Sequence, residues 1–240
     1  MIQIENLSKR FDSGWVFQNL NLHLKKQESV ALIGPSGGGK SVLLKLIAGL
    51  LEPDQGKIKL GSDNVGMLFQ KNALFDSLTV EENLLFPMKE RLKLTGREAE
   101  ARATHFLCEV GLENSAKLYP NEISGGMQKR LGIARALVVK PEIILYDEPT
   151  AGLDPITSRT IAQLIQKLRA EEGNTLITVT TDIQRAYQIG DRICLLAQGR
   201  LTEGGTPDQV RRTTDPALKQ FIYGLTQGPL TSTPTDEESP

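Results

Sequence analysis

The chain has 240 residues, 39% of them hydrophobic and 24% charged, with a formal net charge of −1. That is enough chain to bury a sizeable interior, and a charge so near zero argues against nucleic acid or an anionic membrane surface as a direct partner. No apolar stretch approaches the roughly 20 residues of a membrane helix, and Cys108 and Cys194 lack metal-site or disulfide spacing, as expected of buried thiols in a reducing cytoplasm.

The start, Met1-Ile2-Gln3-Ile4-Glu5, has no basic or long apolar segment and predicts no signal peptide. Ile2, Ile4 and Leu7 alternate loosely with polar residues. After the turn Asp12-Ser13-Gly14, the alternation of Leu20, Leu22 and Leu24 with Asn19, Asn21 and His23 is clean. This predicts a hairpin with one buried face and a solvated His23. Phe11, just before the turn, suits either stacking on an adenine ring or a core position.

Val30-Ala31-Leu32-Ile33 reads as a buried strand and Val42–Gly49 as a helix closed by its glycine. Between them lies Gly34-Pro35-Ser36-Gly37-Gly38-Gly39-Lys40-Ser41, which fits the phosphate-binding pattern G-x-x-x-x-G-K-[ST] in the strand–loop–helix context that it requires. Glycines let successive N–H groups turn inward around an anion, and the helix N-terminus adds positive potential. Lys40 reaches β/γ-phosphates and Ser41 ligates Mg²⁺. The expected nucleotide contacts are Gly34, Pro35, Ser36, Gly37, Gly38, Gly39, Lys40, Ser41 and Val42.

Further on, Lys57–Leu60 and Val65–Gln70 read as strands, the second ending in a polar amide. From Val80 to Val139 the periodicity is helical, with Ala99, Ala103, Phe106, Leu107 and Val110 on one face and Gly111 as a stop. Glu142–Glu148 is an apolar strand that delivers Asp147 and Glu148 at its end. Asp147 there can hold the Mg²⁺ already touched by Ser41, while Glu148 points elsewhere and can deprotonate water. Gln70, near the same edge, could touch both metal and water. Ile161–Leu168 is helical, and Thr175–Val179 and Ile193–Leu196 are strands. Strands alternating with helices predict a mostly parallel sheet with its ligand beyond the strand C-termini. Ser124-Gly125-Gly126 heads another helix and is a second phosphate-binding candidate, unless it is an ordinary cap.

Taken in order, Gly34–Ser41, Gln70, Ile123-Ser124-Gly125-Gly126-Met127-Gln128, Asp147-Glu148-Pro149-Thr150 and Ala151-Gly152-Leu153-Asp154 resemble the ATP-binding subunit of an ABC transporter. The resemblance covers the chain to about Leu230. It implies an α/β P-loop NTPase core with an N-terminal antiparallel β-subdomain and an inserted helical subdomain. The boundaries are 1–226 for the cassette (core 1–76 and 140–226, helices 77–139), with 227–240, polar and acidic, disordered.

The resemblance also implies roles. Lys40, Ser41 and Asp147 serve ATP and Mg²⁺, Glu148 is the catalytic base, and Gln70 senses the γ-phosphate. Ser124, Gly125 and Gly126 bind the γ-phosphate held by a second copy in a head-to-tail homodimer, with Asp154 at the interface. Thr181 stands where the family places a histidine that contacts the γ-phosphate. Finer features, Met67–Val80, Met127 and Gln220–Gly224 followed by Gly228-Pro229, look most like the Mla-type lipid-transport subfamily. That implies an ATPase on the cytoplasmic face of a membrane, held by permease subunits with a lipid-binding partner, and no nucleic acid. The alternatives are an ATP-dependent dimerisation module with little hydrolysis, because of Thr181, or a subunit importing another small solute. An ABC-type ATPase of nucleic acid or ribosomes ranks last: it usually has two cassettes or a coiled-coil insertion, and neither is present.

Overall fold

The computed structural model describes residues 1–231; most of the segment expected to be a disordered tail, residues 232–240, lies outside the described residues. Strands β1 (Ile2–Phe11), β2 (Gly14–Leu24) and, later in the chain, Gln55–Leu60 form an antiparallel sheet with β1 in the middle. The loose alternation of β1 has a local cause. Asn6 and Asn19 both take a left-handed φ of 51°, and the register shifts between Ile4 and Leu7. The irregularity moves the next inward position by one residue. Ile2, Ile4, Leu7, Leu20, Leu22 and Leu24 are all buried, and His23 is exposed.

The second sheet carries the site. It contains β3 (Ser29–Ile33), β5 (Val65–Leu68; the strand at 55–60 is β4), β6 (Ile143–Asp147), β7 (Thr175–Val179), β8 (Arg192–Ala197) and β9 (Arg200–Gly205). Side by side the order is β5-β6-β7-β3-β8-β9, parallel except for the antiparallel edge strand β9. β3, β6 and β7 are buried throughout, as strands covered on both faces must be. Alternate residues serve opposite layers. Ile143 and Leu145 join the cluster of β1, β2 and helix α1 (Lys40–Ile47), whereas Ile144 and Tyr146 join the cluster on the other face. That second cluster is built by α2 (Val80–Leu92), α3 (Gly96–Glu109), α4 (Gly125–Leu137) and α5 (Pro155–Glu172). A third cluster packs α6 (Ile183–Ile189), α7 (Pro207–Arg211) and α8 (Pro216–Tyr223) onto β3 and β8.

Several boundaries differ from expectation. Helix α1 begins at Lys40 rather than Val42. Strand β5 stops at Leu68 instead of running to Gln70, and Asn72 and Ala73, with φ of 59° and 49°, turn the chain away. β9, α7 and α8 escape a periodicity reading: two glycines dilute the strand and the helices span barely two turns. Residues 227–231, the start of the expected tail, are held against the fold. Leu230 N–H donates to the buried Gln220 Oε1 at 2.7 Å, and the Leu230 side chain packs against the third cluster. Both cysteines are free thiols; Cys108 is exposed, and burial pushes the Cys194 thiol up to about 12.

Candidate functional site

Because β5, β6, β7 and β3 run parallel, their C-terminal ends open on one edge. Leu68 pairs with Tyr146, Asp147 with Val179 and Leu32 with Val179. The residues that follow are therefore set out in a row: Gln70, Asp147 and Glu148, Thr180 and Thr181, and the glycine-rich loop. Such an edge is where ligands of open parallel sheets bind.

The loop is shaped by contacts that exclude side chains. Gly34 has a φ of 150°, and a Cβ there would lie 2.1 Å from the Leu196 carbonyl oxygen. Helix α1 starts at a glycine N-cap without a side-chain cap, leaving its first N–H groups for a ligand. Lys40 is buried, and its Nζ donates to the Gly34 and Pro35 carbonyls, each at 2.9 Å. Burial lowers its pKa, while Glu148 and Asp147 hold it up. Val42 packs its side chain toward the core. Phe11 is 45% exposed, which removes the core reading of this residue.

Ser41 Oγ–H donates to Asp147 Oδ1 at 3.0 Å. A hydroxyl and a buried carboxylate converging here are hard oxygen donors that suit Mg²⁺. Burial raises the Asp147 pKa, with the Ser41 hydroxyl and Lys40 acting against it. Burial also raises that of Glu148. The N–H of Thr181, then Lys40, pull it down; the Asp147 charge pushes it up, and the Thr180 hydroxyl lowers it. Glu148 has a left-handed φ of 50°, and its N–H donates to the Val179 carbonyl at 2.9 Å. Thr181 is exposed and Gln70 is exposed.

Two participants were not legible in the sequence. Thr180, not Thr181, turns a side-chain hydroxyl toward Glu148; it is buried and also accepts from Asp182 N–H at 3.0 Å. Lys129 is a buried lysine whose Nζ donates to the Gln70 carbonyl at 2.7 Å and the Glu148 carbonyl at 3.4 Å. Only its place in an apolar helix face could have drawn notice.

Ser124, Gly125 and Gly126 lie elsewhere. With Asp154, Ile156 and Thr157 they line a cleft of about 430 Å³ that no phosphate-loop residue lines. Ser124 Oγ caps α4 by accepting from Met127 N–H at 3.3 Å. Asp154 caps α5, accepting from Ile156 and Thr157 N–H at 2.9 and 3.0 Å, and hydrogen bonds, first from the Thr157 side chain, hold its carboxyl low. Ile156 is 80% exposed on the cleft's rim. A Cβ at Gly125 would meet nothing within 4 Å. Gly34 and Gly125 are thus glycines for different reasons. Gly34→Ala is expected to cost on the order of 1–3 kcal/mol from backbone strain alone and to lower the melting temperature. Gly125→Ala is expected to leave it unchanged or to raise stability by up to about 1 kcal/mol through helix propensity. Thermal unfolding of the two purified variants checks this, and equal destabilisation would refute the distinction.

A family model described as "ABC transporter" matches residues 17–151. Among curated relatives, the probable ribonucleotide transport ATP-binding protein mkl of Mycobacterium leprae (strain TN) is 36% identical over 99% of this chain and 73% of its own length. The intermembrane phospholipid transport system ATP-binding protein MlaF is 32% identical in Escherichia coli K12, over 96% of this chain and 91% of the relative. The MlaF of Haemophilus influenzae is 35% identical, over 96% and 93%. Among solved structures, a dimeric post-hydrolysis state of the ATP-binding cassette MJ0796 bound to ADP and Pi superposes with a TM-score of 0.76 at 36% identity, covering 84% of this chain and 96% of that one. The chain belongs to the ABC transporter family as an ATP-binding cassette with ATPase chemistry.

Proposed function

We propose that this cassette powers lipid movement through a separate integral-membrane permease, hydrolysing MgATP at two composite sites in a head-to-tail dimer. The observation that carries this reading is the division of the site. The loop with Asp147 and Glu148 forms one half, and the cleft headed by Ser124 forms a second half that no phosphate-loop residue lines. Two copies related by a two-fold axis complete each other's sites. Lys40 exchanges its loop carbonyls for β/γ-phosphate oxygens, and the N–H groups of Gly37 to Val42 cradle the phosphates. Ser41, Asp147 and Gln70 would hold Mg²⁺, which would supply neutralisation of the phosphate charge. Glu148 accepts the proton of the attacking water, for which a pKa raised by burial suits it. Ser124, Gly125 and Gly126 of the opposite copy close over the γ-phosphate, and Phe11 supplies a face for adenine.

Docking to the permease falls to the surface beside Gln70. Leu74 is half-buried against the core, so Phe75 is the outward anchor; its ring lies 4.7 Å from that of Phe86, and the two are 41% and 42% exposed. With Arg135 and Arg91 they border a groove of about 200 Å³ suited to a permease helix. No helix among the described residues is long and apolar enough to cross a membrane; in this reading the permease holds the cassette at the cytoplasmic face. The lipid assignment rests on the MlaF relatives. Stimulation of the reconstituted complex by phospholipid supports it, and stimulation by a small solute instead replaces it.

Thr181 favours a second reading, a module that binds ATP and dimerises with little turnover. Losing one hydrogen bond to a charged group removes about 1.5–3 kcal/mol, on the order of 10- to 100-fold in rate. That slows an enzyme that retains Lys40, Asp147 and Glu148 without silencing it, so the slow ATPase is preferred.

Three experiments follow. Glu148→Gln is expected to bind ATP normally, to hydrolyse it roughly 10²–10⁴-fold more slowly, and to run as a dimer on a sizing column with ATP and Mg²⁺. A monomer at saturating ATP would remove the composite site. Thr181→His is expected to raise turnover by about tenfold with ATP affinity nearly unchanged; wild-type protein that shows no hydrolysis with its permease selects the dimerisation module. Phe75→Asp is expected to release the cassette from permease-containing membranes while leaving ATP binding intact. Loss of folding in that variant assigns Phe75 to the core.

A further inference from the structure

Lys129 is the fifth residue of α4, a helix whose neighbouring positions Leu131, Ile133, Ala134 and Leu137 are buried in the apolar core. A lysine is seldom buried unless its ammonium is paired, because leaving water is costly. Its position follows from the packing of one turn. Gly132, three residues on, has no side chain, and a Cβ there would lie 2.5 Å from Leu68 Cδ1. The helix therefore rests directly on β5, and Lys129 extends beyond the strand's end. There its Nζ donates to the Gln70 carbonyl at 2.7 Å and the Glu148 carbonyl at 3.4 Å.

We propose that Lys129 is a positioning residue for hydrolysis: one ammonium ties the peptide after Glu148 to the peptide of Gln70, so that the loop beside the permease groove and the residue that receives the water's proton move together. This rests on the function proposed above for Gln70 and Glu148. Three observations carry it further. Glu148 holds a left-handed φ of 50°, a conformation uncommon for a residue with a β-carbon that must be held by its surroundings. Its N–H is anchored on the Val179 carbonyl, and its own carbonyl takes the Lys129 ammonium together with the Ala151 N–H at 3.2 Å. That second bond begins the turn that leads to Asp154. Finally, α4 is the helix that starts at Ser124, so the same rigid element offers its N-terminus to the second copy's nucleotide. Binding at that end is then felt at Gln70 and Glu148 of this copy. Burial lowers the Lys129 pKa, and the nearby Asp147 and Glu148 charges act against that.

The test compares Lys129→Met, which keeps the length and removes the donors, with Lys129→Arg, which keeps a cation able to fork onto two carbonyls. Full-length proteins are assayed with MgATP at a concentration where the rate per chain has reached its plateau. Lys129→Met is expected to lose about 10- to 100-fold in kcat. Its KM and its affinity for a fluorescent ATP analogue are expected to stay within about twofold of wild type, while its melting temperature is expected to fall, since removing one partner leaves the facing carbonyls and carboxylates uncompensated; Lys129→Arg is expected to restore it. Lys129→Arg is expected to keep kcat within about threefold. Hydrogen exchange in the ATP-bound protein gives a readout independent of turnover, because peptides covering residues 69–73 and 148–152 are both expected to exchange faster in Lys129→Met and at the wild-type rate in Lys129→Arg. Unchanged kcat and unchanged exchange in Lys129→Met overturn the proposal. A loss of kcat that accompanies a fall in melting temperature and is not restored by Lys129→Arg also overturns it, leaving a packing role. Glu148→Gln is run in parallel. If it hydrolyses ATP like wild type, the role of Glu148 fails; if it is inactive while Lys129→Met is normal, only the role of Lys129 fails.

Discussion

Two carboxylates, Asp147 buried and Glu148 half-buried, share the sheet edge with two buried ammonium groups, Lys40 and Lys129. Burial raises the pKa of both acids and lowers that of both lysines, so each charge is costly alone, and the opposite charges beside it act against that cost. Lys40 serves as the loop's own ligand, bonded to the Gly34 and Pro35 carbonyls until phosphate oxygens compete for it. A bound triphosphate adds negative charge to a balanced cluster, which gives Ser41 and Asp147, already hydrogen-bonded to each other, a physical reason to gather a divalent cation with it.

The position of that cluster is set by topology rather than by any single contact. Four parallel strands whose registers agree must end together, and the first residues beyond them must lie side by side. The cleft at Ser124 has a different origin. At Gly34 the glycine is demanded from within, by the Leu196 carbonyl; at Gly125 nothing in this chain demands it. A glycine that costs helix stability, beside a 430 Å³ cleft and a rim isoleucine that is 80% exposed, is explained by something that approaches from outside. In the function proposed above, that is a second copy carrying its nucleotide.

How much could be read in advance depended on how local the cause was. The phosphate loop was legible because its chemistry lies in eight consecutive residues between a strand and a helix. The buried strands β3, β6 and β7 were legible as apolar runs, and Asp147 and Glu148 as the polar end of one of them. Less was visible where the cause was tertiary. The slip in β1 needs Asn6 to adopt a left-handed φ, and no alternation rule announces that. Strand β5 ends two residues early because Asn72 and Ala73 turn away, and nothing in Phe69-Gln70 says so. Phe11 stayed open between ring stacking and core until its exposure was known. Lys129 looks like an ordinary surface charge in Met127-Gln128-Lys129-Arg130; only the close approach allowed by Gly132 buries it.

Thr180 and Thr181 show the same limit from the other side. The family places a histidine at 181, yet Glu148 is held almost entirely by groups that do not depend on that side chain. Its N–H bonds the Val179 carbonyl, its carbonyl takes Lys129 and Ala151, and its carboxylate faces the backbone N–H of Thr181 and the hydroxyl of Thr180. Any residue at 181 other than proline supplies that N–H. Thr180 is itself buried and fixed by Asp182, whose side chain caps α6. The orientation of Glu148 is thus a property of the ends of β6 and β7 and does not depend on the side chain at 181. On the function proposed above, what the exchange of histidine for threonine removes is a donor reaching outward to the nucleotide, a loss of transition-state stabilisation with Glu148 still in position, and that is the physical basis for expecting a slow enzyme rather than a silent one.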